Sequence, residues 1–297
     1  MDIVCRLDTE REAVEALLDR WLPPKGEYPE RIHEAIRYSA LGGGKRLRPI
    51  IMLAAAGAVG GDADLIAPSA CAVEYVHCCS LVLDDLPSMD DAALRRGKPT
   101  THRVFGVATA ILAADALLMH AFKLVAENGV SVGADGPRLA AAVKELATAV
   151  GSYGMVGGQH VDLETAAHAS IDPKTLEYIQ SRKTGALFVV SVRLGPLLLG
   201  APTERLDDLE RYARNLGLAY QIVDDILDAE GDAETVGKDV GRDEDTKKKT
   251  FVTVHGVDEA RRVAGELVGA SVAALDGWSG EADLLREIAA YCARRAF

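Results

Sequence analysis

The stretch Gln221-Ile222-Val223-Asp224-Asp225-Ile226-Leu227-Asp228 closes a segment, Leu206–Asp228, in which Leu209, Tyr212, Leu216, Tyr220, Val223 and Leu227 recur at the spacing of one helix face. Asp224 and Asp228 are i and i+4 on that helix, so both project from one strip, with Gln221 one turn before Asp224. A core-type helix that ends in carboxylates predicts an α-helical interior with a polar site at the helix end.

A second acidic run, Leu83-Asp84-Asp85-Leu86-Pro87-Ser88-Met89-Asp90-Asp91, also follows an apolar segment. On an ideal helix Asp84 and Asp90 would stand about 240° apart and could not share an ion. Pro87 removes a donor and disturbs the preceding turn, so a break there brings Asp90 back beside Asp84 and Asp85. Carboxylates clustered on apolar segments repel one another and cost desolvation, which a bound cation relieves. Hard oxygen ligands suit Mg²⁺, which keeps waters and joins one or two carboxylates to phosphate oxygens. Each box is trailed by cations: Arg95-Arg96-Gly97-Lys98 after the first, Gly237-Lys238 and Lys247-Lys248-Lys249 after the second. For one box a solvated helix end is an equal explanation; two such boxes point to a phosphorylated substrate held between metal and Lys/Arg.

Gly42-Gly43-Gly44-Lys45-Arg46-Leu47-Arg48-Pro49 adds a flexible turn that delivers Lys45 and Arg48 to a helix start, without the pattern of a P-loop. The forked donors of Arg95 and Arg96 suit a diphosphate better than a simple helix-end charge pair. His77, among Val76, Cys78 and Leu81, has the ordinary reading of a satisfied core histidine, yet it lies two turns before Asp84 on the same face. Cys78 and Cys79 read as small packing residues. Lys183-Thr184 would ordinarily face solvent, and the run Arg242 to Lys249 also fits a solvated loop.

The 297 residues allow one large domain or two small ones, and 48% apolar with 26% charged residues is ordinary for a globular protein. Aromatics make only 5% while Ala, Leu and Val abound, which leans helical. A net charge of -12 argues against nucleic acid or an anionic membrane surface as partner. Five cysteines, an odd number with no CxxC pair, favour a reducing compartment. Met1 to Leu7 carries Asp2 and Arg6 and lacks a secretory apolar core. Ile50–Val59 stops at Gly60-Gly61-Asp62 and Val107–Phe122 carries Asp115, so no membrane span is expected. These features predict a soluble, cytoplasmic protein.

Helical periodicity covers Glu10–Trp21, Glu30–Tyr38, Leu47–Val59, Pro68–Asp85, Val104–Ala126, Arg138–Ser152, Pro173–Leu199, Leu206–Asp228, Asp258–Leu275 and Ala282–Arg295. Pro68 and Pro173 suit first turns, with Asp172 as an N-cap. Thr250–Val254 is β-like but too short to imply a sheet. With no long linker, the reading is one all-α domain over residues 1–297.

The chain resembles a short-chain trans-isoprenyl diphosphate synthase, of the geranylgeranyl and farnesyl diphosphate synthase type, from about Ile32 onward. The resemblance rests on Gly43 to Pro49, the Asp84 box through Arg95-Arg96-Gly97-Lys98-Pro99-Thr100, Gly158-Gln159 with Asp162, Lys183-Thr184, the Gln221 to Asp228 box and Gly237-Lys238. It implies an all-α helical bundle of the isoprenoid synthase type with a central cavity, usually a homodimer. It further implies Mg²⁺, three ions with substrate bound, on Asp84, Asp85, Asp90, Asp224, Asp225 and Asp228. Asp84, Asp85, Asp224 and Lys183 are then the catalytic residues. Arg95, Lys183, Thr184, Gln221, Lys238 and Lys248 match positions that hold the allylic diphosphate, and Lys45, Arg48, His77 and Arg96 match the isopentenyl diphosphate subsite. Leu83, Ala92-Ala93, Ala114 and Phe251 depart from the usual pattern without removing a ligand.

In this resemblance the growing chain runs beside the helix that ends in the first box, so Ser80, Cys79, Cys78 and Tyr75 form the pocket floor. Ser80 and Cys79 are small, which favours geranylgeranyl diphosphate; farnesyl diphosphate follows if Tyr75 or Met119 closes the tunnel. A terpene cyclase would have no evident use for Lys45, Arg48 and Arg96, and a noncatalytic partner subunit would be expected to lose acidic ligands that are complete here.

Overall fold

The expected helices form, with boundaries that matter most beside the acidic boxes. The computed structural model describes residues 2–166, 168, 170–230 and 250–294. In chain order they are α1 (Ile3–Trp21), α2 (Glu30–Ala40), α3 (Leu47–Ala58), α4 (Ala67–Asp84), α5 (Thr101–Phe105), α6 (Val107–Ser131), α7 (Gly136–Val150), α8 (Met155–Ala166), α9 (Pro173–Ile179), α10 (Ala186–Leu198), α11 (Thr203–Ala229), α12 (Phe251–His255), α13 (Val257–Ala273) and α14 (Asp283–Arg294). A two-residue hairpin, β1 (Leu94–Arg95) against β2 (Lys98–Pro99), is the sheet structure among the described residues.

The fold is all-α. Buried residues from Ile3 to Cys292 form one contiguous apolar core. α4 lies against α6, α3 and α10, while α11 packs on α10 and α13. Tyr75 and Tyr212, both fully buried, satisfy their hydroxyls on backbone carbonyls, Leu18 O at 2.7 Å and Leu285 O at 2.7 Å. Asp172 caps α9 through the Lys174 and Thr175 amides, as its position before Pro173 predicts.

Four expectations need correction. The segment read as one helix over 173–199 is interrupted by a π-helical turn, Gln180–Gly185, that carries Lys183 and Thr184. Thr250–Val254 is not extended: Thr250 caps the short α12 with a reciprocal Thr250–Thr253 capping pair. The helix expected from Val104 is two, because Gly106 at φ 87° separates α5 from α6. Finally, two helical stretches, 63–84 and 107–131, are long and apolar enough to cross a membrane by length and composition. The first is 72% buried in the protein, as a core helix is; the second is 33% buried and leaves an apolar face outward.

α8, which periodicity did not single out, is pressed against the π turn. A Cβ at Gly158 would sit 2.3 Å from the Lys183 amide nitrogen, so glycine is required for that approach. Gly158→Ala should therefore destabilise the fold by about 1–3 kcal/mol through overpacking. Gly265→Ala, in α13 with nothing within 4 Å of its Cβ, should be neutral or slightly stabilising. Thermal melts of the two variants check this.

Candidate active site

Helix α4 stops at Asp84 because Pro87 cannot continue it, and the chain folds back on the helix end. The Asp90 amide donates to Asp84 O at 2.9 Å, Asp91 to Leu86 O at 3.0 Å and Ala92 to Asp85 O at 3.2 Å. The break at Pro87 thus returns Asp90 to Asp84. Asp85 is 4% exposed and is gripped by Arg95, whose Nε donates at 3.0 Å and Nη2 at 2.5 Å. Burial pushes the Asp84 carboxyl up to about 6, Lys183 and Arg95 oppose that shift, and Asp90 and Asp85 reinforce it.

The second box is organised by the π turn. Gln180 Nε2 donates to Asp225 at 3.3 Å, Gln221 Nε2 at 2.8 Å and the Phe251 amide at 2.9 Å. Thr184 Oγ1 donates to Gln221 Oε1 at 2.9 Å, which ties the turn to α11. Lys183, instead of facing solvent, forms an ion pair with Asp162 of α8 at 2.6 Å. Asp224 and Asp228 are half-buried on the strip beside Asp225.

The basic side gathers at the N-terminus of α3. Arg48 lies 5.0 Å over the Phe188 ring, and its buried Nε has no hydrogen-bond partner. Burial lowers its pKa, while Glu74, Tyr220 and Asp224 act the other way. Arg96 Nη1 donates to Gly43 O, and Gly44, at φ 127°, lets the guanidinium lie flat against the loop: a Cβ there would be 2.6 Å from Arg96 Cζ. The exposed Lys45 reaches to 5.9 Å from the Tyr220 ring. His77 is held neutral, its pKa driven well below 6.5 by burial and then by Arg48, Arg96, Arg46 and Arg95. A neutral imidazole beside several guanidiniums, one with an unused donor, has the chemistry to suit an anion. A cavity bounded by Tyr38, Cys78, Asp85, Arg95, Arg96 and Lys98 opens behind this side.

Sequence reasoning did not assign a role to Arg46. It adopts φ 51°, is fully buried, and donates to Glu74 and Glu15 at 2.7 Å each and to Ala40 O at 2.7 Å. That anchor fixes the turn from which Lys45 and Arg48 extend. The signal was weak because Glu74 and Glu15 approach it only in the folded chain. Lys238 and Lys248 lie outside the described residues.

Among the described residues no three carboxylate, imidazole or thiol groups already form a metal cage. Asp84, Asp90, Asp224 and Asp228 offer hard oxygens, and the upward shift of Asp84 is what a divalent cation would reverse. An ion held by one or two of them completes its shell with water and substrate oxygens, the habit of Mg²⁺.

An all-α bundle with two carboxylate boxes and a separate guanidinium patch defines an enzyme class that handles diphosphates. Residues 29–274 match the polyprenyl synthetase family, to which the chain belongs. It is 45% identical over 262 residues to a dimethylallyltranstransferase of Fischerella ambigua (88% of this chain, 75% of the relative). It is 43% identical over 268 residues to a chloroplastic geranylgeranyl pyrophosphate synthase of Capsicum annuum (90% and 72%). The fold superposes with TM-score 0.86 on an apo FPP/GFPP synthase of Zymomonas mobilis, 36% identical over 97% of this chain and 98% of that one. The protein is a trans-prenyltransferase.

Because the folded Asp84 binds its proton more tightly than the unfolded one, the metal-free protein loses stability as pH rises from about 4 to 6, up to about 3 kcal/mol before solvent screening. Asp84→Asn should therefore raise the melting temperature of metal-free protein at neutral pH, and much less at pH 4. Thermal melts in chelator at the two pH values check the sign.

Proposed function

We propose that the protein condenses isopentenyl diphosphate with an allylic diphosphate and that its main product is geranylgeranyl diphosphate. The observation that carries the reaction is the division of the site into a carboxylate end and a guanidinium end. Lys45, Arg48 and Arg96 receive the diphosphate of isopentenyl diphosphate, and His77 stays neutral among them. Lys183, Arg95, Thr184 and Gln221 belong to the allylic end. Asp84, Asp90, Asp224 and Asp228 would hold Mg²⁺, which would supply charge neutralisation for a departing diphosphate. The allylic C–O bond breaks, the isopentenyl double bond attacks the resulting cation, and the surplus proton leaves to the released diphosphate. Preorganised cations aimed at the leaving group lower that barrier, and the apolar walls keep water from quenching the cation.

Chain length follows from the small residues below Asp84. Cys79 is 3% exposed in the core and Ser80 turns its hydroxyl to His77 O at 2.9 Å, so neither blocks the space with bulk. Tyr75 is drawn aside by its hydroxyl bond to Leu18 O and lies 5.6 Å from the His120 ring. Met119 is 59% exposed, so its side chain is not packed in the core with Cys79. The name of the Capsicum relative agrees with a twenty-carbon product.

Purified protein with Mg²⁺, isopentenyl diphosphate and each allylic primer should yield geranylgeranyl diphosphate, and Cys79→Tyr should shift the product to fifteen carbons. No prenyl transfer with any primer overturns the reaction; a wild type that stops at fifteen carbons overturns the pocket reading alone. Asp84→Ala and Asp224→Ala should each lower kcat by about 100-fold or more, since the charge they manage appears in the transition state.

The outward face of α6 exposes Ile111, Leu112, Met119 and Val130, a run of large apolar side chains on one side of a long helix. A second copy of this chain covers it in our reading, making a homodimer, and all five cysteines are free, which suits the cytoplasm. Light scattering should give twice the chain mass, and Leu112→Glu should shift it toward the monomer.

A further inference from the structure

Asp91 ends the first acidic box but does not join its neighbours. Its backbone is left-handed, φ 42°, and its side chain is met by α5: Arg103 Nη2 donates to Oδ1 at 3.0 Å, and His102 Nε2 stands 3.8 Å from the same oxygen. His102 is 6% exposed, and that Nε2 is buried with no hydrogen-bond partner. Its other nitrogen, Nδ1, lies 3.1 Å from Thr100 Oγ1. The single hydroxyl proton of Thr100 is committed to Ala92 O at 2.8 Å, so the oxygen accepts and Nδ1 carries the hydrogen. The Thr100 amide meanwhile donates to Ala93 O at 3.1 Å. Through these bonds α5 holds the chain at Asp91, Ala92 and Ala93, on the stretch between Asp90 and the hairpin that carries Arg95 and Arg96.

We propose that Arg103, on Asp91, and His102, through Thr100 on Ala92, form a latch on the acidic loop, and that His102 is a positioning residue that holds Asp90 beside Asp84. The proposal rests on the functional reading above. Nothing in the latch touches substrate; it acts by denying the acidic loop the freedom to swing Asp90 away from Asp84. The left-handed conformation of Asp91 is uncommon outside glycine, and the bonds from Arg103 and Thr100 add to the loop's own in holding it. Outer partners of metal-holding groups are commonly worth about 10–100-fold in metal affinity or activity when removed.

The test is the Mg²⁺ dependence of turnover in wild type, His102→Leu, His102→Gln and Asp91→Asn, with fold monitored by circular dichroism. His102→Leu should raise the half-saturating Mg²⁺ concentration about tenfold or more and lower kcat, leaving the isopentenyl diphosphate KM within about twofold. His102→Gln, whose amide can still donate inside the latch, should recover most of the loss. A wild-type Mg²⁺ profile in folded His102→Leu, or a Gln variant as impaired as Leu, overturns the latch. If His102→Leu does not fold, the surface change Asp91→Asn decides: an unchanged profile overturns the proposal, and a raised Mg²⁺ requirement supports it. Loss of Mg²⁺-dependent turnover in wild type would instead defeat the functional reading.

Discussion

Like-charge crowding at the ends of two apolar helices is the constraint around which this protein is arranged. α4 and α11 are packed by side chains that water barely reaches, and both end in paired aspartates. The cost shows at Asp84, where burial and the neighbouring carboxylates favour the protonated form. Removing that charge would relax the helix end and also remove the means of drawing a cation and a diphosphate together. The core offsets the cost: one continuous apolar interior runs from α1 to α14, and the apolar members of the boxes themselves, Leu86, Ile222, Val223, Ile226 and Leu227, are buried in it.

The cationic side solves the opposite problem. Guanidiniums brought close repel one another, and here each has its own support. Arg46 is neutralised outright by Glu15 and Glu74; Arg95 is paired with Asp85; Arg96 rests on Gly43 O; Arg48 stacks on Phe188. Arg48 keeps a buried donor unsatisfied, and in a core that would be a defect. In the proposed diphosphate subsite it would be preorganisation, because the donor is already stripped of water before an anion arrives.

Much of this was legible beforehand because it is local. The heptad-like stripe of α11, the proline that ends α4 and the i, i+4 placement of Asp224 and Asp228 are all properties of short segments. What stayed hidden depends on distant partners. The π turn at Gln180–Gly185 exists where Gly158 and Gly217 let α8 and α11 crowd it, which no single segment records. Arg46 looked like one more cation in a basic turn, and only the approach of α1 and α4 makes it an anchor. His102 likewise reads as an ordinary polar residue until the acidic loop folds over it.

The two boxes, unrelated in backbone, reach the same division of labour. In each, the second aspartate is the buried one and is taken up by the protein: Asp85 by Arg95, Asp225 by Gln180, Gln221 and the Phe251 amide. Asp84, Asp224 and Asp228 are half-buried and Asp90 is exposed. A carboxylate fully engaged by fixed donors is rigid but has little capacity left for an ion. One that is only partly buried keeps that capacity but is poorly positioned by itself. Pairing the two in sequence lets the rigid member orient the available one, so an aspartate doublet serves better than a lone carboxylate. The same logic explains why Asp85 is held from the hairpin, which also carries Arg96, and why one of the donors to Asp225 comes from the π turn, which also carries Lys183 and Thr184. Movement of either element would disturb its buried aspartate and the polar side chains it carries together.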